Sequence, residues 1–382
     1  MVSGPSNMVQ IVIKPEIPIK PSAMVRLSNM ACKNPFKYIE IIWDGSVLAC
    51  CYSWLPAGVG NVLTDSVEEI INNEKRLSIQ NHMRQGDFSD CTNRCPQLAS
   101  ILAGESNYWG LTEIDQFDSF LEKSRTQVYF SYDRSCNLQC PSCRDELIVW
   151  DVEDAQDAEG QRLKQVHEKV KTLVEYLVGQ GEQITLVITG SGDAFASPLY
   201  WNYLLELAQD PLMYSNISIH LMTNGQLMTL ENLKKIKNLW PIISFVEVSI
   251  DAATEETYKI VRKNGSFNRI KKNLNEFDML VEQGNFSNLS QWQTNFVVQK
   301  SNFKELKEYV KWQMAFKSKP TIATSLIAQW QHIDDARFKG MAIYQDHHPD
   351  KQELIDILQD PIFRNDQIRL GNMSNLLDLT FR

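Results

Sequence analysis

Three cysteines with the spacing of metal ligands stand in the first half of the chain. Cys136, Cys140 and Cys143 form a C-x3-C-x2-C run directly after a β-rich segment, residues 127–132. Three thiolates can bind three irons of a [4Fe–4S] cluster and leave the fourth iron open. An open metal position is typical of a catalytic site, whereas a structural site has every position filled. The run alone is compatible with such a cluster, with a structural cluster or with zinc.

A second set of cysteines precedes the first. These upstream cysteines are Cys32, Cys50, Cys51, Cys91 and Cys95. All eight cysteines of the chain lie before residue 144. In a reducing compartment such a distribution favours metal binding or catalysis over disulfides. Four thiolates would saturate one cubane cluster, and a structural zinc site is the alternative.

A hairpin is predicted within this upstream set. Asp44-Gly45 separates two strand-like runs, 37–43 and 46–52, and this dipeptide is a strong hairpin signal because the turn needs positive φ. On a strand of period two, Cys51 points away from its neighbour Cys50. Only one of the two adjacent cysteines can easily be a ligand, and the Gly45-x4-Cys50 spacing selects Cys50. Cys51 is then expected to be a buried thiol.

From residue 127 onward, β-rich runs alternate with helical ones. The β-rich runs are 127–132, 184–189, 217–222, 244–250, 293–298 and 321–327, and the helical runs include 160–179, 229–238, 266–283 and 303–316. The run ITLVIT (184–189) is almost continuously hydrophobic, as expected of a parallel strand covered on both faces. Six such units predict an α/β barrel or open sheet, preceded by a small cysteine-rich α+β module with a β-hairpin.

Polar and glycine-rich segments follow successive predicted strands. They are Gly190-Ser191-Gly192-Asp193, Thr223-Asn224-Gly225 and Ser249-Ile250-Asp251, with Arg262 further along. The carboxyl ends of parallel strands meet at one edge, where α/β enzymes build active sites. Glycines let the backbone approach a ligand closely. A carboxylate such as Asp193 accepts from an ammonium, and a hydroxyl such as Ser249 both donates and accepts.

The order of these motifs resembles that of the radical SAM superfamily over residues 127–327. The resemblance implies a partial (β/α)6 TIM-like barrel in which Cys136, Cys140 and Cys143 hold a [4Fe–4S] cluster. It implies that S-adenosylmethionine chelates the open iron and is cleaved to a 5′-deoxyadenosyl radical. Nine residues are then expected to contact this cofactor: Gly190, Ser191, Gly192, Asp193, Thr223, Asn224, Ser249, Asp251 and Arg262. The sequence departs from the family at Ser142, where an aromatic residue often lies beside the adenine.

The upstream cysteines resemble the auxiliary-cluster modules called SPASM and twitch. The resemblance implies that a second [4Fe–4S] cluster is held by Cys32, Cys50, Cys91 and Cys95. This module precedes the barrel, whereas in most relatives it follows. Its cysteines suffice for one auxiliary cluster only, which favours the shorter twitch form. Cys51 is either a buried thiol or a hydrogen donor to a substrate radical.

Five segments result from these predictions: an irregular arm (1–31), the auxiliary module (32–98), a helical connector (99–126), the radical SAM barrel (127–327) and a C-terminal extension (328–382). Because SPASM and twitch proteins are commonly peptide maturases, the resemblance implies a ribosomally synthesised peptide substrate that is cross-linked, epimerised or excised. A dehydrogenase or C–C bond-forming enzyme acting on a small molecule is the alternative. A non-catalytic iron–sulfur electron carrier or zinc-binding protein is the alternative of another class.

Composition restricts the partners. The net charge of −9 argues against a nucleic-acid groove, which needs a basic face. No apolar stretch approaches the roughly 20 residues of a membrane span, and the first residues lack the apolar core of a secretory signal. We expect a cytoplasmic protein that takes electrons from a reductant such as flavodoxin or ferredoxin. A peptide substrate would need a separate leader-recognition partner protein or the surface of the barrel.

Overall fold

The computed structural model describes residues 27–92, 95–98, 110–150, 158–209, 215–329 and 333–377. The strands in these ranges are β1 (Met30–Cys32), β2 (Tyr38–Ile42), β3 (Ser46–Leu48), β4 (Gly58–Asn61), β5 (Leu111–Glu113), β6 (Thr126–Ser131), β7 (Ile184–Ile188), β8 (Ile217–Thr223), β9 (Ile243–Ser249), β10 (Gln291–Val298), β11 (Thr321–Leu326) and β12 (Ile368–Arg369). The principal helices are α1 (Asn34–Lys37), α2 (Val67–Ile71), α3 (Glu74–Arg84), α4 (Phe117–Lys123), α5 (Ala158–Gly179), α6 (Pro198–Leu207), α7 (Leu230–Lys235), α8 (Glu255–Val261), α9 (Phe267–Glu282), α10 (Leu306–Met314), α11 (Asp335–Met341) and α12 (Lys351–Leu358).

One large sheet organises the molecule. Its strand order is β12-β11-β10-β9-β8-β7-β6-β2-β3-β4. The strands β6 to β11 follow one another in chain order and every neighbouring pair is parallel. Helices lie between them along the chain, which is the repeating strand–helix arrangement of a (β/α)6 barrel. The predicted α/β fold is therefore confirmed.

The two faces of the sheet differ in chemistry. Outer residues such as Ile219, Val246 and Phe296 are buried with the helices in the main hydrophobic core. On the inner face the paired residues Glu247 and Gln293 are polar and only half-buried. Burial therefore alternates along β8 to β11, because the inner face lines a recess that solvent reaches. The expectation that ITLVIT forms a strand covered on both faces is confirmed for β7.

Two helices, α6 and α8, were not predicted, although both have clear amino-terminal signals. Ser197 caps α6 by accepting from Tyr200 N, and a proline occupies the first turn. Thr254 caps α8 in the same way, and acidic residues follow it. The helix predicted over 229–238 is shorter than expected: α7 is followed by a 3-10 turn, Lys237–Ile242.

The predicted hairpin is present between β2 and β3. Gly45 has the positive φ of 83° that its turn requires. β3 ends at Leu48, so the strand predicted over 46–52 is too long, and Cys50 and Cys51 lie beyond it. β2 also pairs in parallel with β6, so the hairpin of the cysteine-rich module and the barrel share one sheet. The boundaries of the predicted segments stay predictions.

The remaining elements extend the sheet or brace the module. β1 pairs with β5 of the predicted connector, and β12 of the C-terminal extension pairs with β11. Residues 1–26 of the predicted arm, 99–109 of the connector, and 330–332 and 378–382 of the extension lie outside the described residues. Within the described ranges, no helix has both the length and the apolar character needed to cross a membrane.

Candidate functional site

The cysteines of the C-x3-C-x2-C run lie in the loop that leaves the carboxyl end of β6. Two backbone hydrogen bonds hold this loop, from Cys136 N to Ile148 O at 2.7 Å and from Cys143 N to Cys140 O at 2.9 Å. Cys136 and Cys140 are buried, and Cys143 is exposed. The loop therefore presents three thiols, one of them on an open side that a ligand can reach.

Each of these thiols has a nitrogen donor beside it. The pairs are Asn224 Nδ2 to Cys136 Sγ at 3.5 Å, Arg262 Nη1 to Cys140 Sγ at 3.6 Å and Arg144 Nη2 to Cys143 Sγ at 3.7 Å. Burial raises the pKa of the Cys136 thiol to about 11, and metal ligation opposes this rise because a coordinating thiol is deprotonated. Two cations and an amide stabilise negative charge on thiolates. This donor set fits a [4Fe–4S] cluster with three protein ligands.

Gly190 and Gly192 bring the loop after β7 against the cysteine loop. A Cβ on Gly192 would lie 2.5 Å from Ser135 O, and one on Gly190 would collide with the end of β6. The carbonyl of Ser191 accepts from Arg144 Nη2 at 3.1 Å. Because the same arginine contacts the exposed cysteine Cys143, residues 190–192 lie beside the open side of the site, and their contact with a cofactor stays a prediction.

The carboxylate of Asp193 accepts hydrogen bonds from other residues of the chain. It is buried, and its Oδ2 accepts from Asn224 N at 2.7 Å and from Thr223 Oγ1 at 2.9 Å. Its Oδ1 accepts from Phe195 N at 3.0 Å and from Ala196 N at 3.2 Å. The carboxylate therefore joins the loop after β7 to the end of β8, which positions Asn224 against the cluster loop. A contact with the ammonium of S-adenosylmethionine stays a prediction.

Asp251 and Arg262 form a buried ion pair next to the cluster loop. Arg262 Nη2 lies 2.8 Å from Asp251 Oδ2, and the side chains are 11% and 2% exposed. Asp251 has a φ of 62°, and its Oδ1 accepts from Val297 N at 2.8 Å. Burial raises the pKa of the Asp251 carboxyl, and the Arg262 guanidinium offsets part of that rise. Arg262 Nε is buried without a hydrogen-bond partner in the described part of the chain. The predicted contacts of Arg262 and Ser249 with the cofactor stay predictions.

The upstream cysteines line one small cavity. They reach it from the end of β1, the bend after β3 and the segment after α3: Cys32, Cys50, Cys91 and Cys95. Burial, with the nearby thiol of Cys95, raises the pKa of Cys32 to about 12. In the described ranges no three His, Cys, Asp or Glu side chains are close enough to hold a single metal ion. Four thiols around a shared cavity fit a polynuclear cluster, in which each thiolate binds a different iron.

Cys51 lies apart from this cavity and does not line it. Burial and the nearby charge of Glu40 raise the pKa of its thiol. Glu40 belongs to the inner face of β2, where its carboxylate accepts from Tyr38 Oη at 2.7 Å and from Ser131 Oγ at 2.8 Å. Cys50 lines the cavity and Cys51 lies near Glu40, so the two side chains have different environments, as predicted. The expected reason was wrong, because a bend after β3 separates them rather than strand alternation.

A polar cluster on the inner face was missed by the sequence analysis. Glu247 of β9 accepts from Asn295 Nδ2 and from Gln293 Nε2 of β10. Burial raises the pKa of Glu247 to about 7. His220 on the neighbouring β8 has an Nε2 atom with no hydrogen-bond partner among the described residues. The sequence signal that could have revealed this cluster is the alternation in QWQTNFVV, residues 291–298, which places the polar side chains on one face of the strand.

The fold and the two cysteine sites define a class of protein: an α/β protein with two candidate iron–sulfur sites. Comparison with family models then identifies the family. The model of the radical SAM superfamily matches residues 131–282, and that of an iron–sulfur cluster-binding domain, SPASM, matches residues 32–96. The chain belongs to the radical SAM superfamily and carries a SPASM domain ahead of its radical SAM domain. These domains imply a [4Fe–4S] cluster, an auxiliary cluster and the use of S-adenosylmethionine.

Several solved structures resemble the chain at low identity. A radical SAM methyltransferase from Sphaerobacter thermophilus is 15% identical, with 52% of this chain and 55% of that chain covered and a TM-score of 0.32. The methyltransferase TsrM from Kitasatospora setae is 13% identical (61% and 50% covered, TM-score 0.35). The FeFe-hydrogenase maturase HydG from Carboxydothermus hydrogenoformans is 15% identical (72% and 64% covered, TM-score 0.32). The chain thus spans between 50% and 64% of these proteins. No curated protein matches it.

Proposed function

We propose that this radical SAM enzyme modifies a ribosomally synthesised peptide by cross-linking, epimerisation or excision. The observation that carries the proposal is the cavity shared by Cys32, Cys50, Cys91 and Cys95, next to a hairpin strand in the sheet of the barrel. SPASM and twitch modules are common in peptide maturases, and the SPASM match supports this choice.

The chain's own residues prepare the site for the cofactor. When bound, a reduced [4Fe–4S] cluster supplies the electron that cleaves S-adenosylmethionine and yields a radical able to remove hydrogen from a substrate. Asp193 holds Asn224 against Cys136, and Arg144 joins the cysteine loop to the carbonyl of Ser191. Arg262 Nε, which has no hydrogen-bond partner among the described residues, lies beside the site. We propose that these groups orient the amino-acid end of the cofactor.

The substrate surface is the inner face of the barrel. Its half-buried polar side chains include Glu40, Glu247 and His220, and they lie on strands whose carboxyl ends form the cluster site. β2 joins this face to the auxiliary module. The auxiliary cluster can therefore accept the unpaired electron that hydrogen removal leaves on the substrate. Loss of that electron produces the oxidised products of cross-linking or excision.

Two partners belong to the proposal. A reductant such as flavodoxin or ferredoxin would supply the electron that cleaves the cofactor. A separate protein would hold the leader of the peptide, or the barrel's own surface would. Neither partner is a nucleic acid, since the chain carries a net charge of −9.

The central test is anaerobic. The reconstituted protein, reduced by dithionite with S-adenosylmethionine, should release 5′-deoxyadenosine, and the Cys136→Ala, Cys140→Ala and Cys143→Ala variants should not. A protein that binds iron and never yields 5′-deoxyadenosine would overturn the catalytic function.

The substrate class needs a second experiment. A short open reading frame beside the gene should be co-expressed with it and its product analysed by mass spectrometry. A loss of 2 Da indicates a cross-link, changed chirality without a mass change indicates epimerisation, and loss of a fragment indicates excision. An unmodified peptide would favour the second candidate, a dehydrogenase or C–C bond-forming enzyme for a small molecule. The polar inner face around Glu247 favours that candidate, since it suits a compact, hydrogen-bonding substrate.

A further inference from the structure

Gln97 is a buried polar side chain without a partner at the auxiliary cavity. It is 3% exposed, and it lines the cavity together with the four cysteines. Neither its Nε2 nor its Oε1 has a hydrogen-bond partner among the described residues. An amide that is buried without a hydrogen bond is destabilising. Such a side chain in the wall indicates that the occupant of the cavity offers it a hydrogen-bonding atom.

The other lining residues show what kind of atom this is. Asn34, also 3% exposed, directs its Nδ2 at Cys50 Sγ over 3.3 Å. Apart from these two amides and the thiols, the wall consists of apolar side chains: Pro35, Trp54, Leu55, Met83, Phe88, Leu98 and Leu111. Among the described lining residues there is no carboxylate or hydroxyl side chain. Sulfur is therefore the side-chain acceptor that the described part of the wall presents to both amides.

We propose that Gln97 donates its side-chain N–H to the auxiliary [4Fe–4S] cluster and, with Asn34, raises the reduction potential of that cluster. Reduction adds one electron, so the reduced cluster carries more negative charge than the oxidised one. An N–H donor stabilises the more negative state, and hydrogen bonds to cluster sulfur are among the factors that set such potentials. This inference rests on the auxiliary cluster of the proposed function, and it assigns Gln97 as a direct hydrogen-bond donor that makes the cluster a better electron acceptor.

The test uses the full chain with Cys136, Cys140 and Cys143 replaced by Ala, so that the auxiliary cluster alone gives an EPR signal. Gln97→Met keeps the length of the side chain and removes both polar atoms. In a titration with dithionite we expect the equilibrium constant for reduction to fall about tenfold, which is about 59 mV for a one-electron couple. Pulsed EPR in D2O should also lose the coupling of one exchangeable proton.

Gln313 provides a matched control. It is fully buried and both of its side-chain polar atoms lack partners in the described part of the chain, but it lies on α10 and does not line the cavity. Gln313→Met should leave the auxiliary potential unchanged. Gln97→Glu is isosteric and adds negative charge, so it should lower the reduction potential further. This variant tests the proposal if Gln97→Met fails to load iron.

The outcomes separate this inference from the proposed function. If the parent with three alanines binds no iron, the auxiliary cluster itself fails, and the inference with it. If it binds iron and Gln97→Met has the parent's potential and proton coupling, the inference alone is overturned. If both Gln97 variants lose iron while Gln313→Met retains it, Gln97 supports the fold of the module, and the assignment to the potential is overturned.

Discussion

At the scale of the residue, Arg262 connects the parts of the site. Its guanidinium pairs with Asp251 and contacts Cys140 Sγ, and its Nε has no hydrogen-bond partner in the described ranges. A buried ion pair is costly to break because removal of one partner leaves the other charge buried and uncompensated. Arg262 therefore serves both the stability of the loop after β9 and the charge balance of the cluster thiolates.

Replacement of Arg262 tests this dual role. Arg262→Met should lower the free energy of unfolding of the apoprotein by about 3–5 kcal/mol, and Asp251→Asn added to it should restore part of the loss. Urea unfolding under anaerobic conditions measures both. Arg269→Met, at an exposed position, should change the stability by no more than about 0.5 kcal/mol. An Arg262→Met variant as stable as the native protein would contradict a structural ion pair.

Glu247 predicts a dependence of stability on pH. Burial raises its pKa from 4.5 to about 7, so between these values the folded state binds more protons than the unfolded state. Its contribution to stability is therefore present below about pH 4.5 and is lost as the pH rises to 7, by about 3 kcal/mol. Glu247→Gln should flatten the decline that denaturant unfolding shows between pH 5 and 8.

A matched change at Glu282 controls for general charge effects. Glu282 is exposed, so Glu282→Gln should leave the decline with pH as it is in the native protein. Equal slopes for the native protein and the Glu247→Gln variant would show that Glu247 has an ordinary pKa in the folded state.

At the scale of the element, the site depends on loops that pack backbone against backbone. The loop after β7 approaches the cysteine loop so closely that a Cβ at Gly192 would meet Ser135 O at 2.5 Å and Asp133 O at 2.7 Å. Backbone atoms cannot rotate away as side-chain ends can, so the two loops must separate to admit a methyl group. The positions of the cluster cysteines and of residues 190–192 are thereby coupled.

Gly192→Ala measures this coupling. We expect the free energy of unfolding to fall by about 1–3 kcal/mol, and the release of 5′-deoxyadenosine to fall at least tenfold because the turn moves from the open side of the cluster. Gly179→Ala is the control, since a Cβ there meets nothing within 4 Å at the end of α5. It should retain the native stability and the native rate. Native behaviour of Gly192→Ala would show that the loops can relax without affecting the site.

At the scale of the whole molecule, the two cysteine sites adjoin the same large sheet. The cluster cysteines follow β6, and the auxiliary cysteines adjoin the hairpin whose strand β2 pairs with β6. Cys51 and Glu40 lie on the side of the hairpin that faces the barrel, whereas Cys50 lines the auxiliary cavity. The adjacent pair Cys50-Cys51 thus connects the auxiliary site with the inner face.

The two sites should load iron independently, because no cysteine is common to both. The variant with Ala at Cys136, Cys140 and Cys143 should retain about four irons, and the variant with Ser at Cys32, Cys50, Cys91 and Cys95 should also retain about four. Iron and zinc analysis after anaerobic reconstitution measures this. Zinc in place of iron in the first variant would reject the auxiliary cluster.

The types and spacing of the ligands could be predicted from the sequence because they are local properties. C-x3-C-x2-C after a β-rich run, glycine-rich turns after buried strands, and Asp44-Gly45 between two β-rich runs each depend on a few adjacent residues. Only the tertiary structure decided which of Cys50 and Cys51 lines the cavity and that both carboxylate oxygens of Asp193 accept hydrogen bonds from within the chain. It also decided that Glu247 is half-buried on the inner face and that Gln97 is buried. These features depend on burial and contacts between segments far apart in the chain, which local patterns do not encode.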